Sequence, residues 1–213
     1  MQFAGLLRVV DHDPVFETGL LLAGTASVVD VERQLSRWKR SNRVVQIRRG
    51  LYALATPYRK AEPHSFLVAN RLVPGSYVSC QAALAWHGLI PEHVAVVTSV
   101  STRGTRRFDT SLGSFLFRHV KPQLLFGYRV ERVVPGQEAL VALPEKALLD
   151  LVHLEPAGDS RPFLEGLRLQ HLDQLDLELL HRAAQSAQSA KLVRAASVVA
   201  ALAEAERTEY EEQ

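Results

Sequence analysis

The chain has 213 residues and a mass of 23.7 kDa, enough for one ordinary domain or for a small unit joined to a medium one. Its 47% hydrophobic and 23% charged content excludes a disordered, collagen-like or low-complexity chain, and its single cysteine, Cys80, excludes an internal disulfide and a cysteine-based zinc site. The net charge of +2 hides a split: residues 1–60 carry ten basic residues against five acids, residues 61–130 seven against three, and residues 131–213 eight against fifteen. The balances are therefore +5, +4 and −7, which suggests a front that faces a polyanion and a rear with another task. The apolar run at residues 19–26 is far short of the ~20 residues that span a bilayer. Residues 1–10 are apolar but lack the charged start and small-residue cleavage site of a signal peptide. A cytoplasmic protein with no membrane partner is expected.

The first 57 residues read as a compact unit. Asp13-Pro14 predicts the start of a helix, with Pro14 at its first position and Phe16, Leu20, Leu21 and Leu22 along it. Residues 24–27 predict a turn. Ser27 and Asp30 match a capping box, so a second helix is expected from there. Val28, Val31, Leu35 and Trp38 then recur at helical spacing and define an apolar face. By the same rotation Arg33, Arg37 and Arg40 gather within about 60° on the opposite face. Asn42 is expected to close the helix, residues 44–48 to form a strand, Arg49-Gly50 a tight turn, and residues 51–54 the returning strand. Pro57 ends the unit.

Helix, turn, basic helix and hairpin is the order of a winged helix-turn-helix. A recognition helix needs one apolar face to seat it and one arginine-rich face for base edges and phosphates. The candidate DNA-binding residues are Arg33, Arg37, Lys39, Arg40 and Arg43 on and after this helix, and Arg48 and Arg49 at the hairpin tip. Arg103, Arg106 and Arg107 are candidate accessory phosphate contacts. Double-stranded DNA, an operator with inverted repeats, is the expected partner. A unit of about 57 residues has a small core and should lean on the rest of the chain.

Residues 62–213 predict a mixed α+β domain that ends in helices. After a linker at 61–64, a helix is expected over Ser65–Leu72, a short strand at 77–79, and a helix over 81–87 capped by Gly88. Strands come next at 94–100, 114–120, 127–134 and 139–143. Pro144 opens a helix carrying Ala147, Leu148, Leu151 and Leu154. Beyond Arg161 the pattern is helical, with leucine-rich stretches over 164–180, a final helix from about Ala190 to Glu206 and a frayed acidic end. Strands followed by helices without strict alternation predict α+β overall.

Several motifs across this length resemble the AbiEi-type antitoxins and their regulator relatives. They are the hairpin Arg48-Arg49-Gly50-Leu51-Tyr52-Ala53-Leu54, Tyr77-Val78-Ser79 with Ala82-Ala83-Leu84, and His87-Gly88-Leu89-Ile90-Pro91. Thr98, Thr102-Arg103, Arg106-Arg107-Phe108, Gly113 and Phe126-Gly127 continue the series. Ala142-Leu143-Pro144-Glu145-Lys146-Ala147-Leu148-Leu149-Asp150 and Leu167-Arg168-Leu169 with Leu172-Asp173 complete it. The resemblance implies a bacterial type IV toxin–antitoxin protein of two parts. Its N-terminal winged helix represses its own operon, and its C-terminal domain counteracts a nucleotidyltransferase toxin without a stable complex. Some relatives are stand-alone regulators, so a winged-helix regulator whose second domain binds a ligand or a protein is the alternative.

Enzymatic readings fare poorly on the residues. Nucleases of the common metal-dependent type need an acid two residues before a lysine. The residues in that place are Arg37, Tyr58, His119, Pro144 and Ser189, none acidic. A nucleotidyltransferase would follow Gly-Ser with Asp-x-Asp, and Gly75-Ser76 is followed by no acid before Glu92. The eight histidines show no metal-binding spacing, and no cofactor motif is present. No catalytic residue, metal or cofactor is expected. Lys146 and Asp150, four apart on one helix, read most simply as an i,i+4 pair worth a few tenths of a kcal/mol.

Overall fold

A computed structural model of the chain describes residues 2–22 and 27–211. The chain is α+β, with two sheets and helices packed on them. The first unit starts with helix α1 (Phe3–Val10), followed by the two-residue strand β1 (Phe16–Glu17) and the short helix α2 (Thr18–Leu22). Helix α3 (Val28–Arg40) and the hairpin strands β2 (Val44–Arg48) and β3 (Leu51–Leu54) complete it. The helix expected from Asp13-Pro14 begins only at Thr18, as α2, which holds Leu20, Leu21 and Leu22 but not Phe16. Phe16 and Glu17 pair instead with Tyr52 and Leu51, so β3 lies at the centre of a three-stranded antiparallel sheet. The helix before it, α1, buries Leu6 and Val10. The expected turn over 24–27 lies outside the described residues except for Ser27.

Ser27 caps α3 as the sequence predicts: its hydroxyl accepts the Asp30 N–H at 3.2 Å and donates to the Asp30 carboxylate at 2.7 Å. Val31, Leu35 and Trp38 are buried against Leu6, Val10, Phe16, Leu21, Val44 and Leu54. Val28, expected on that face, is 55% exposed at the first turn. The backbone leaves the helix through Asn42 at φ +51°, a conformation asparagine tolerates better than most residues. Tyr58 packs edge-on against Phe3, and Lys60 reaches Asp11 at 2.5 Å, so the chain stays on the first unit past Pro57.

The second unit holds helix α4 (Ser65–Leu72), strand β4 (Tyr77–Val78) and helix α5 (Cys80–Trp86). Strands β5 (Val96–Ser101), β6 (Arg106–Thr110), β7 (Gly113–His119), β8 (Tyr128–Val134) and β9 (Gln137–Ala142) come after them. They build a six-stranded mixed sheet in the order β6-β7-β5-β4-β9-β8. Strand β6 escapes a reading by alternation because its polar run is held by antiparallel pairing to β7, with only Phe108 turned onto Phe117. Helices α6 (Pro144–Leu154), α7 (Arg161–Gly166), α8 (Leu177–Ser186) and α9 (Ala190–Glu211) follow; α4, α5 and α6 pack on the sheet, α8 and α9 pack on α6 and on each other, and α7 packs on α9. The leucine-rich stretch is not continuous helix: a 3-10 turn at Leu172–Gln174 separates α7 from α8. The last helix runs on to Glu211, past the expected end at Glu206 and into the acidic stretch expected to fray.

Two cores result, and the small sheet divides them. Tyr52 and Leu54 of β3 face the helices of the first unit, whereas Leu51 and Ala53, fully buried, join the larger core together with Val15 and Ile47. Side-chain alternation along one strand therefore feeds both.

Candidate nucleic-acid interface

The arginines of α3 stand where the helical rotation places them. Arg33, Arg37 and Arg40 are exposed on the face opposite Val31, Leu35 and Trp38. Among the described residues none of the three makes an ion pair or a side-chain hydrogen bond. The helix presents about 20 Å of length. Its apolar side rests on the β1-β3-β2 sheet, and beyond that sheet lies the second unit, so the arginine face points away from the rest of the molecule.

The other candidate residues divide. Lys39 is exposed, but its ammonium donates to Gln46 Oε1 at 2.8 Å. Arg43 lies half-buried, with its guanidinium 4.9 Å from the Phe3 ring centre, which makes it part of the packing of α1. Arg49, at the hairpin tip beside Gly50 (φ +80°), has a side chain 96% exposed and only a loose 4.0 Å approach to Glu32. Arg48 is placed otherwise. Its Nε donates to the Leu72 carbonyl at 3.1 Å, Nη2 to the Arg71 carbonyl at 3.3 Å and Nη1 to the carbonyl of its neighbour Arg49 at 2.8 Å. The Arg71 and Leu72 carbonyls belong to the last turn of α4, have no partner inside the helix and sit at the negative end of its dipole. Arg48 thus fastens the hairpin to the second unit. The register shift between Gln46 and Arg48 turns its side chain toward α4.

Arg103 and Arg106 are exposed around β6, and Arg107 is held by Asp109 at 3.0 Å. Strand β6 forms one edge of the large sheet, so these arginines form a group separate from those of α3.

Sequence reasoning missed the character of Lys146 and Asp150. Both are nearly fully buried, 4% and 2% exposed, and the ammonium is hydrogen-bonded to Asp150 Oδ1. Asp150 Oδ2 also accepts from Tyr77 Oη at 2.9 Å and Ser79 Oγ at 2.7 Å. Lys146 Nζ lies 5.5 Å from the Tyr77 ring centre and 5.0 Å from that of Phe126. A Cβ on Gly127 (φ +70°) would come within 3.1 Å of the lysine stem, so glycine is the residue that lets the strand pass there. Burial pushes the Asp150 carboxyl upward, opposed by Lys146 and the hydroxyl donors, and drives the Tyr77 hydroxyl and the Cys80 thiol up as well. This is a buried polar knot, held by more partners than the i,i+4 spacing alone supplies. It brings together Tyr77-Val78-Ser79, Phe126-Gly127 and the segment Leu143–Asp150, three of the motifs that carry the family resemblance.

Among the described residues no three His, Cys, Asp or Glu side chains gather so as to hold a metal ion, and no helix is long and apolar enough to cross a membrane. His87 Nε2 donates to the Ala142 carbonyl at 2.8 Å, a packing contact. Compared with known proteins, the chain matches no family model and no curated protein.

Proposed function

We propose that the protein is a DNA-binding repressor acting in the cytoplasm, with residues 1–60 as a winged helix-turn-helix reading head and α3 as its recognition helix. The observation that carries this reading is the face of α3: three exposed guanidiniums within one stripe, on a helix seated by Trp38 and its neighbours and turned away from the body of the molecule. A helix fits a major groove about 12 Å wide, and arginine pairs with guanine edges and phosphates. Arg49 on the hairpin tip extends the same surface. In line with the family resemblance, the operator is the protein's own promoter, and the second unit counteracts a nucleotidyltransferase toxin. No catalytic role is assigned to any residue.

Binding of the upstream region of its own gene, against a scrambled duplex of equal length, tests the reading. Arg33→Ala or Arg37→Ala should lower affinity for the cognate duplex by about 1–3 kcal/mol and relax preference at defined positions. Equal loss on cognate and scrambled DNA would remove base reading from α3, and unchanged binding would remove DNA from α3 altogether. Rescue of cells from a neighbouring nucleotidyltransferase by the Arg33/Arg37/Arg40 triple variant, expressed from a foreign promoter, separates antitoxin from repressor. Absence of rescue by a folded triple variant leaves the regulator alone.

A further inference from the structure

The outer edge of β8 is a strand built to pair with itself, and we infer that the protein forms a two-fold dimer through it, centred on Val130. Strand β8 ends the order of the large sheet, and among the described residues nothing pairs with its outer edge. Its inner edge fixes which groups point outward. The Leu143 N–H donates to the Gly127 carbonyl, so the facing pairs 127/143, 129/141 and 131/139 carry the ladder. The backbone N–H and C=O groups of Tyr128, Val130 and Arg132 therefore point off the sheet. Val130 is 58% exposed and Tyr128 38%, two of the eight large apolar residues left open among the described residues.

Edges of this kind are usually blunted by charge, and β8 does carry Arg129, Glu131 and Arg132. Their order is what favours a second copy over any other occupant. Antiparallel pairing about Val130 sets Val130 against Val130, Tyr128 against Arg132 of the other copy, and Arg129 against Glu131 of the other copy. Each copy already joins Arg129 to Glu131 at 2.6 Å, so the pairing closes a ring of alternating charges. The outward-pointing residues 128, 130 and 132 are also those that meet as hydrogen-bonded pairs in this register, which gives six backbone hydrogen bonds. Any register shifted by one residue loses the opposite-charge pairing and sets inward-pointing groups against outward ones. The contact is isologous, as a closed dimer requires. The opposite edge carries a similar pair, Arg107 with Asp109 at 3.0 Å, but the residue between them, Phe108, is turned inward onto Phe117, and Asp109 also accepts from Ser114 Oγ at 2.7 Å, so no exposed apolar residue stands at its centre.

The contact is a short strand pair, smaller than a standard protein interface, so a weak, concentration-dependent dimer is expected. It does not depend on the DNA reading, since oligomeric state is measured without DNA. Sedimentation of the full chain should show a monomer–dimer equilibrium. Val130→Cys should link into a disulfide dimer under mild oxidation, because hydrogen-bonded antiparallel pairs bring Cα atoms to about 5.5 Å and Cys80 is buried. Glu131→Arg should raise the dimer dissociation constant about tenfold or more by setting like charges together twice, and Arg129→Glu with Glu131→Arg should restore it. Val130→Pro, whose lost N–H points outward, should give a monomer with an unchanged fold by circular dichroism. A chain that stays monomeric and does not cross-link overturns the inference, as does a dimer that Glu131→Arg leaves intact.

Discussion

Arg33 and Arg37 in the first unit and Lys146 and Asp150 in the second share one spacing, i and i+4 on a helix, and meet opposite environments. The arginines stand in solvent and, among the described residues, have no side-chain partner, while the lysine and aspartate are sealed under Tyr77, Ser79 and Phe126. Spacing decides which residues share a face. What that face meets is decided by the rest of the chain. In the first unit the arginine charges stay in contact with solvent, and in the second the charges are consumed in holding β4 to α6.

The largest expected effect tests the inner pair. Asp150→Ala leaves a buried ammonium without its carboxylate and should lower stability by about 3–5 kcal/mol in chemical denaturation. Arg37→Ala, on an exposed face, should stay within about 0.5 kcal/mol of the parent. Replacing both partners, Lys146→Met with Asp150→Leu, should recover most of the loss, because burying apolar groups of similar volume avoids the uncompensated charge. Equal, small effects from Asp150→Ala and Arg37→Ala would erase the contrast between the two regions.

A second effect divides two neighbours on the hairpin. Arg49→Ala should flatten the salt dependence of DNA binding by about one unit and weaken all duplexes alike. Arg48→Ala should leave that slope unchanged and instead destabilise the protein by about 1–3 kcal/mol, because the Arg71 and Leu72 carbonyls lose their donor. A flattened slope for Arg48→Ala would return it to the DNA surface.

The smallest effect lies where the two regions join. His64 Nδ1 accepts the Phe66 N–H at 3.2 Å and so caps α4, and burial holds the imidazole below its ordinary value of 6.5. A depressed histidine contributes stability that is complete above 6.5 and is lost as pH falls through that value toward the folded one. Denaturation at pH 7.5 and at pH 5.5 should therefore differ, with His64→Asn reducing the difference because an amide oxygen caps at both. The cap itself is worth about 1 kcal/mol. An identical pH dependence in parent and variant would show that His64 is not its source.

Local signals were legible and contextual ones were not. The Ser27 cap, the hairpin around Gly50 and the helix Ser65–Leu72 arise from neighbours a few residues apart. The strand Phe16–Glu17 exists only because Leu51 and Tyr52 arrive from far along the chain, and Pro14 before it mimics a helix start. Strand β6 depends in the same way on β7. The stripe of Arg33, Arg37 and Arg40 could be read by rotation alone, whereas the diversion of Arg48 depends on carbonyls 23 and 24 residues away. For Lys146 and Asp150 the spacing was right, and their burial was invisible until Tyr77, Ser79 and Phe126 were placed around them.

The strand Leu51–Leu54 has a practical meaning for anyone who would transplant the basic helix. Its alternate side chains belong to two different cores, so the first sixty residues are not a portable module. Cut free, they would expose Ile47, Leu51 and Ala53 as a greasy plate and leave Arg48 without the α4 carbonyls it holds. A chimera that keeps the reading head must carry α4 with it or repaint that plate with polar residues.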